Sequence, residues 1–361
     1  MTGAAACLAG FHGMTVVIHG SSGCYYYPST LLHAPLHGTF IMENEVIFGS
    51  EQRLREVLDG LTSPGKKIAV IMTCIPAILG EDLRGVLADY DAIIVDSPGF
   101  FGDIEAGYKN ALSVLAPSVD PEKQGINIDG ACLFDPYSGG NVQEVVRLLK
   151  SASVPVGTVF CRDQLEKVWH SAAYTVGTNG DFSSGIGTAL GGMLGFDEIR
   201  STLRRVTSVC PGADPGPVNK EIEREEERIV RACDKFLRRF DPPHAVIFGN
   251  FSYATFAART LKHYLDADIL FIGSRNKPGN TSFPVGYVQE YSQVKTLIRH
   301  HDPDLVLGSS FEQSVDTTRA FIGLTPPLRG TVKLAPHSLA GITGTLSFME
   351  DVLNACMDRK K

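Results

Sequence analysis

Short β-branched runs alternate with helix-like stretches along most of the chain, and this alternation constrains the fold more than any other feature. Candidate strands occupy 15–20, 67–73, 91–99, 126–134, 154–160, 244–250, 268–274, 303–310 and 330–336. Candidate helices occupy 51–61, 140–152, 219–239, 253–265 and 345–357. Strand–helix alternation of this kind predicts parallel sheets with helices on both faces. We therefore expect an α/β fold.

Length and turn residues divide this pattern into three units. A chain of 361 residues is too long for one comfortable core. The turn-rich segments PGADPGP (211–217) and DPPH (241–244) flank the charged helix 219–239, as segments at domain boundaries do. We expect three α/β domains over 1–117, 118–238 and 239–340. The long helix belongs to the second, and a final helix over 341–361 packs on the first.

Composition excludes several classes of protein. Apolar residues make up 43% of the chain and charged residues 20%, as in ordinary globular proteins. No stretch approaches the ~20 apolar residues that span a bilayer, and the N-terminus lacks a basic signal segment, so we expect a cytoplasmic protein without a membrane partner. A net charge of −7 without a Lys/Arg-rich run argues against nucleic acid. Because G-x-x-x-x-G-K-[ST] is absent, this chain does not hydrolyse ATP through a P-loop.

The chain has eight cysteines and no Cys-x-x-Cys motif. In a cytosolic protein these are not expected to form a disulfide framework. Without a local motif, a zinc knuckle or ferredoxin-type run is excluded, so any metal site joins distant segments. The alternative for each cysteine is a buried, reduced and inert side chain.

Three of these cysteines share a setting. Cys24 follows the strand TVVIHG in the glycine turn GSSGCYYYP, Cys74 follows the strand KIAVIMT, and Cys7 lies just before the first strand. Carboxyl ends of neighbouring parallel strands converge on one crevice. Converging thiolates are soft ligands that suit an iron–sulfur cluster better than a hard cation. After Cys74, the residues Gly80-Glu81-Asp82 look like the start of a helix.

Four stretches in order carry a resemblance to a known family. They are CLAGFHGMTVVIHGSSGCYYYP, MENEVIFGSEQRLREVL (42–58), VIMTCIPAILGEDLRG (70–85) and PDLVLGSSFEQSVD (303–316), with GITGTLSFMEDVLNA near the end. The chain resembles the nitrogenase component 1 family, which contains nitrogenase subunits, dark-operative tetrapyrrole reductases and cofactor-assembly relatives. One departure is Ser50, which stands where the family usually has a second glycine.

The resemblance implies a fold, a cofactor and a partner. The fold is three Rossmann-like parallel-sheet domains. Cys7, Cys24 and Cys74 fall on the positions that bind a 4Fe-4S cluster between two subunits. Electrons come from a separate ATP-hydrolysing iron–sulfur reductase, itself a homodimer. A four-iron cluster on a two-fold axis needs two ligands from each chain, so one of the three cysteines is left over or binds in only one redox state.

Within the family, the compact chain is most similar to the component 1-like subunits of Ni-sirohydrochlorin a,c-diamide reductive cyclases from methanogenic archaea. This similarity implies a homodimer that reduces a nickel tetrapyrrole, with γ-lactam ring formation, in coenzyme F430 biosynthesis. The alternatives are a cofactor-assembly scaffold, a protochlorophyllide-type or carbon–sulfur-cleaving reductase, and a sugar- or nucleotide-binding protein with structural cysteines.

A tetrapyrrole reductase needs a mostly apolar pocket with polar anchors and proton donors. His33 and His37, in the loop LLHAPLHGTF, are candidate proton donors, and Tyr25 is a candidate substrate contact. His337 either lines the substrate cavity or caps the last helix. Each of these residues is equally explained as an ordinary loop or core residue. The segment 170–180 contains no cysteine, so a nitrogenase-type cofactor held by one cysteine and one histidine is not expected.

Overall fold

The computed structural model describes residues 1–330, 332 and 334–358, and they form an α/β fold with three sheets. The strands are β1 (Met14–His19), β2 (Leu36–Gly38), β3 (Lys67–Met72), β4 (Ala92–Asp96), β5 (Ile126–Asp129), β6 (Val156–Val159), β7 (Tyr174–Gly177), β8 (Thr188–Gly192), β9 (His244–Gly249), β10 (Asp268–Ser274), β11 (Val285–Tyr287), β12 (Leu305–Gly308) and β13 (Ala320–Gly323). The expected α/β class with parallel sheets is confirmed.

The helices connect these strands. They are α1 (Thr2–Leu8), α2 (Ser22–Leu32), α3 (Glu43–Phe48), α4 (Glu51–Asp59), α5 (Cys74–Leu79), α6 (Arg84–Leu87), α7 (Ile104–Leu115), α8 (Ser138–Ser151), α9 (Phe196–Val209), α10 (Gly216–Leu237), α11 (Phe251–Leu265), α12 (Tyr291–His301), α13 (Ser310–Gln313) and α14 (Gly341–Asp358). Two short 3₁₀ helices span Leu165–His170 and Gly180–Phe182. None of the helices in the described ranges is long and apolar enough to cross a membrane.

The first sheet positions the candidate site. Its strand order is β2–β1–β3–β4, and every neighbouring pair is parallel. Val16 of β1, for example, pairs with Leu36 on one side and Ala69 on the other. Both faces of β1 and β3 are buried, which explains why these strands read as continuous apolar runs. Since all four strands run the same way, their carboxyl ends lie at one edge, and we call it the sheet edge.

The other two sheets complete the fold. One has the order β11–β10–β9–β12–β13 with parallel neighbours, and the other has the order β6–β5–β7–β8. Five strands were not expected from the sequence: β2, β7, β8, β11 and β13. Each has only three to five residues and contains glycine, so none reads as a β-branched run. The expected strand over 330–336 includes residues 331 and 333, which lie outside the described residues, and residues 332 and 334–336 are not in a strand.

Residue contacts divide the chain into two compact units. Unit 1 comprises Met1–Phe134, Gly157–Thr175 and Phe182–Thr188, and unit 2 comprises Asp135–Val156, Val176–Asp181 and Ala189–Lys361. The expected boundaries of three domains therefore stay a prediction.

The expected place of the last helix is wrong. Helix α14 packs against α8, α10 and β13 within unit 2 instead of the first predicted domain. The reason is its capped N-terminus: the Asn141 amide oxygen accepts the N–H groups of Leu339 and Ala340, and Glu144 accepts that of Ile342. These bonds hold the start of α14 on α8.

Candidate metal centre

Cys24 lies in the first turn of α2, five residues beyond the end of β1. The chain turns at Gly20, where a Cβ atom would lie 2.0 Å from the Thr73 hydroxyl oxygen, so only glycine fits. The Cys24 sulfur is half-buried and accepts a hydrogen bond from the Ser21 hydroxyl at 3.6 Å. The turn therefore presents this sulfur at the sheet edge.

Cys74 reaches the same edge from β3. The preceding residue, Thr73, donates two hydrogen bonds to the His19 carbonyl oxygen, from its N–H at 3.1 Å and its hydroxyl at 2.8 Å. These bonds fix the ends of β1 and β3 side by side. Cys74 is the first residue of α5, and its half-buried sulfur accepts the Gly99 N–H at 3.1 Å. The loop after β4 therefore supports this thiol.

The Met1 α-amino group links the two cysteines electrostatically. Burial lowers the pKa of this amine, and negative charge on Cys74 and Cys24 opposes the shift. Both sulfurs thus lie within electrostatic range of one amine, which also donates to the Ser97 hydroxyl at 2.8 Å. Met1, Ser97 and Phe101 line a cavity of about 410 Å³ there.

Cys7, the third predicted ligand, has different surroundings. It lies in α1, which packs on α7, and its side chain is completely buried. Its sulfur lies 3.4 Å from that of Cys161. Burial raises the pKa of the Cys7 thiol well above its ordinary value, which favours the protonated form. Cys24 and Cys74 therefore share the sheet edge, whereas Cys7 pairs with Cys161.

The donor set fits half of an iron–sulfur site. Among the residues that the structure describes, no three His, Cys, Asp or Glu side chains are close enough together to hold a metal ion. Cys24 and Cys74 supply two soft sulfur donors, and each sulfur accepts a hydrogen bond, as sulfur ligands of clusters do. A four-iron cluster needs four such donors, twice the number that this pair provides.

The other predicted site residues lie in both units. In unit 1, the Tyr25 hydroxyl donates to the Leu36 carbonyl oxygen at 3.1 Å, so it already has a partner within the protein. His33 ends α2 in a left-handed conformation and is exposed, whereas His37 lies half-buried in β2. His337 is half-buried in unit 2, where Asn141 and Glu144 hold the α14 N-terminus.

A buried polar network at the same edge was not predicted from the sequence. The ring of His19, at the end of β1, is fully buried, with Nε2 2.9 Å from the Ser50 hydroxyl oxygen and Nδ1 3.1 Å from that of Thr39. The Ser50 hydroxyl donates to Glu81, and Glu81 also accepts the Ser50 N–H at 2.9 Å. Burial lowers the pKa of His19, and the Glu81 charge partly opposes this. The only sequence signal was Ser50 in place of a glycine.

Glu81 is placed by a helix end, so the expected helix start at Gly80-Glu81-Asp82 is wrong. Gly80 takes a left-handed conformation with φ of 70° and caps the C-terminus of α5. The Glu81 N–H then donates to the Pro76 carbonyl oxygen at 3.1 Å, as in a Schellman-type ending. The next helix, α6, begins only at Arg84.

Large apolar side chains are exposed on the segments that follow the four strands. Six of them are at least 69% exposed: Tyr26, Met42, Ile47, Phe48, Ile78 and Phe101. They belong to α2, to the β2–α3 region, to α5 and to the loop after β4. We call this set the apolar edge. Exposed apolar groups of this size mark contact surfaces when they cluster.

Comparison with protein families gives a match at the N-terminal half. Residues 1–179 match the model described as nitrogenase component 1 type oxidoreductase. The nitrogenase molybdenum-iron protein beta chain of Bradyrhizobium diazoefficiens is 30% identical over 181 residues, which cover 41% of this chain and 34% of the relative. The cofactor biosynthesis protein NifE of Clostridium pasteurianum is 27% identical over 158 residues, 39% of this chain and 35% of the relative. The matches thus span about a third of these curated relatives.

A solved structure extends the likeness to the whole fold. The structure "Nitrogenase Cp1 at pH 6.5" superposes with a TM-score of 0.83 over 99% of this chain and 92% of that chain, at 16% identity. At this identity the likeness concerns the fold alone. Residues 1–179 are therefore similar in sequence to nitrogenase component 1 type oxidoreductases, and the chain shares the fold of a solved nitrogenase structure.

Proposed function

We propose that this chain is the catalytic component of an ATP-dependent, nitrogenase-like reductase. In this proposal it reduces Ni-sirohydrochlorin a,c-diamide, with γ-lactam ring formation, in coenzyme F430 biosynthesis. The observation that carries the proposal is the pair of half-buried, hydrogen-bonded thiols, Cys24 and Cys74, at one sheet edge. The family match supports the oxidoreductase class.

Two copies of the chain would complete the metal site. Each copy contributes Cys24 and Cys74 to one 4Fe-4S cluster, which is the two-plus-two ligand set that a two-fold axis requires. The apolar edge lies, as the two thiols do, on segments that follow the strands of the first sheet, and it would supply the surface that a second copy covers. Cys7 is then the cysteine left over, because its sulfur faces Cys161.

The chain's own residues would have defined tasks around the cluster. When bound, the cluster supplies one-electron transfer. The Gly99 N–H and the Ser21 hydroxyl stabilise negative charge on the two sulfurs. His37 and His33 remain the candidate proton donors, and Tyr25 and His337 the candidate substrate contacts. Electrons come from a separate ATP-hydrolysing iron–sulfur reductase homodimer, which agrees with the missing P-loop.

Iron analysis tests the metal site. The anaerobically purified chain is expected to be brown, with about four irons per dimer. Cys24→Ala and Cys74→Ala should each lose most of this iron, whereas Cys210→Ala, a half-buried cysteine of unit 2, should keep it. A Cys74→Ala protein with full iron content and the spectrum of the parent would remove Cys74 from the ligand set.

Turnover tests the activity separately. The iron-loaded chain is mixed with its reductase, ATP, a reductant and Ni-sirohydrochlorin a,c-diamide, and the visible spectrum of the tetrapyrrole is followed. A spectral change that requires ATP and both proteins is expected. An unchanged spectrum with a reductase that hydrolyses ATP in the mixture would overturn the proposed reaction.

A second candidate function is a cofactor-assembly scaffold. The match to the cofactor biosynthesis protein NifE favours it, because that relative matches a similar share of the chain at similar identity to the nitrogenase beta chain. A scaffold would bind iron through the same two cysteines but pass it on without consuming a tetrapyrrole. Transfer of radioactive iron to an acceptor protein, without tetrapyrrole reduction, would select this alternative.

A further inference from the structure

We propose that Cys7 and Cys161 form an oxidisable dithiol, which closes to a disulfide when a hydroperoxide reaches it. Their sulfur atoms lie 3.4 Å apart, although the residues are 154 positions apart in the chain. A disulfide needs about 2.0 Å between the sulfurs, so an approach of roughly 1.4 Å closes the bond. This inference does not rest on the proposed function.

The backbone holds the two segments in register. A Cβ atom at Gly10 would lie 2.2 Å from the Cys161 carbonyl oxygen, so the segment just after α1 lies directly against Cys161. The His12 N–H donates to the Asp163 carbonyl oxygen and the Leu165 N–H donates to that of His12, both at 3.0 Å. The two segments that carry the facing thiols are therefore held together by their backbones.

The backbone conformation of Cys161 directs its sulfur toward Cys7. Its φ is 58°, in the left-handed region that residues with a Cβ rarely adopt. Such conformations persist only where the surrounding structure enforces them. Here the enforced turn aims the Cys161 sulfur at Cys7 inside the core of unit 1, where both side chains are buried.

Hydrogen bonds align the thiols further. The Cys161 thiol donates to the Tyr108 hydroxyl at 3.2 Å, and Tyr108 donates to the Ala131 carbonyl oxygen at 3.0 Å. With Cys161 donating to Tyr108, the Cys7 thiol donates towards the Cys161 sulfur. The arrangement gives one acceptor to each S–H group and leaves the two sulfurs facing each other.

The oxidation step balances with one hydroperoxide. The sulfur of one thiol attacks a peroxide oxygen, the O–O bond breaks, the thiol proton leaves with the departing hydroxide as water, and the sulfur becomes a sulfenic acid. The second sulfur then attacks this sulfur, forms the S–S bond and releases water. Overall, the two thiols lose two electrons and two protons, and hydrogen peroxide becomes two water molecules. The product withdraws Cys7 from any role as a free thiolate.

Peptide mapping tests the inference on the full-length chain. Chelator-treated, fully reduced protein is exposed to hydrogen peroxide, denatured, alkylated, digested without reductant and analysed by mass spectrometry. A peptide that links Cys7 to Cys161, and that disappears after dithiothreitol, is expected as the main form of Cys7. Recovery of Cys7 mainly alkylated, irreversibly oxidised or linked to Cys132 would overturn the inference.

Two variants serve as controls. Cys161→Ala should leave Cys7 alkylated after the same treatment, and Cys233→Ala, which alters another buried cysteine, should leave the Cys7–Cys161 peptide unchanged. Circular dichroism confirms that each variant is folded. The wild-type map decides the question by itself if Cys161→Ala does not fold.

Discussion

Glu81 accepts hydrogen bonds from both the N–H and the hydroxyl of Ser50, with the N–H at 2.9 Å. Through Ser50 it reaches the buried ring of His19, whose own carbonyl oxygen is held by Thr73, the neighbour of Cys74. These hydrogen bonds join the end of β1 to the loop before α4 and to the segment after α5. This network fixes the framework that carries both Cys24 and Cys74.

Replacing Ser50 should show what this network contributes to stability. Ser50→Ala removes the hydroxyl next to His19 Nε2 inside a fully buried site. Leaving a buried polar group unpaired costs about 1–3 kcal/mol, so the free energy of unfolding should fall by that amount. Urea denaturation measures this free energy of unfolding. The control is Ser63→Ala, at an exposed position of unit 1. Equal midpoints for the two variants would contradict a stabilising network.

A second prediction concerns Asp135 in unit 2. Its carboxylate accepts hydrogen bonds from the Tyr253 hydroxyl, from the Tyr137 N–H at 2.9 Å and from Asn179 at 3.3 Å. Burial raises the pKa of Asp135 to about 6, and these bonds only partly oppose the shift. Because the folded pKa exceeds the unfolded one, this group stabilises the fold most below about pH 4. That stability, about 3 kcal/mol, is lost as the pH rises to about 6.

Asp135→Asn should remove this dependence on pH. The amide cannot ionise, so the free energy of unfolding of the variant should change less between pH 4 and pH 6 than that of the parent. Denaturation midpoints across this range measure it. Asp241→Asn, at an exposed position, should keep the slope of the parent. A slope in Asp135→Asn as steep as in the parent would assign the effect to other groups.

The apolar edge should govern self-association. Phe48 is 84% exposed and Ile78 is 73% exposed, and both lie on segments that follow strands of the first sheet. If a second copy covers them, Phe48→Asp and Ile78→Asp bury a charge in the interface and weaken the dimer at least tenfold, or about 1.4 kcal/mol. Sedimentation equilibrium measures the constant. Leu334→Asp, on an exposed side chain of unit 2, is the control, and identical association of all three variants would exclude this surface.

Close packing at Gly140 should make it intolerant of a side chain. A Cβ atom there would lie 2.2 Å from the His337 carbonyl oxygen. Gly140→Ala therefore pushes α8 away from the segment that leads into α14, and a cost of about 1–3 kcal/mol is expected in thermal or urea denaturation. Gly85→Ala, where the space around the Cβ is open, should be neutral or stabilising. A Gly140→Ala protein as stable as Gly85→Ala would show that the two segments separate freely.

Part of the site was predictable because its signals are local. Cys24 and Cys74 each follow a strand that reads as a continuous apolar run, so their place at one edge follows from parallel topology. The pairing of Cys7 with Cys161 was not predictable, because 154 residues separate them and the Cys161 turn has no distinctive sequence. The contact between Ser50 and Glu81 likewise joins two loops across 31 residues.

The secondary structure, too, was predictable only where its signals are local. The long β-branched strands were predicted, whereas glycine-containing strands such as β2 (LHG) and β13 (AFIG) were not. In those strands, pairing with neighbours supplies the stability that their own residues do not. The position of α14 depends on caps from Asn141 and Glu144, which no local pattern near residue 341 reveals.

On the proposed function, the two thiols that the described residues bring to the sheet edge would tie cofactor retention to protein concentration. On the proposed function, a single chain holds half a site, so dissociation into single chains exposes the cofactor to loss, and cofactor binding in turn favours the paired state by mass action. Dilution would then bleach the protein, and reconcentration with iron and sulfide would restore its colour. The visible absorbance of such a protein would therefore show what fraction of its chains are paired.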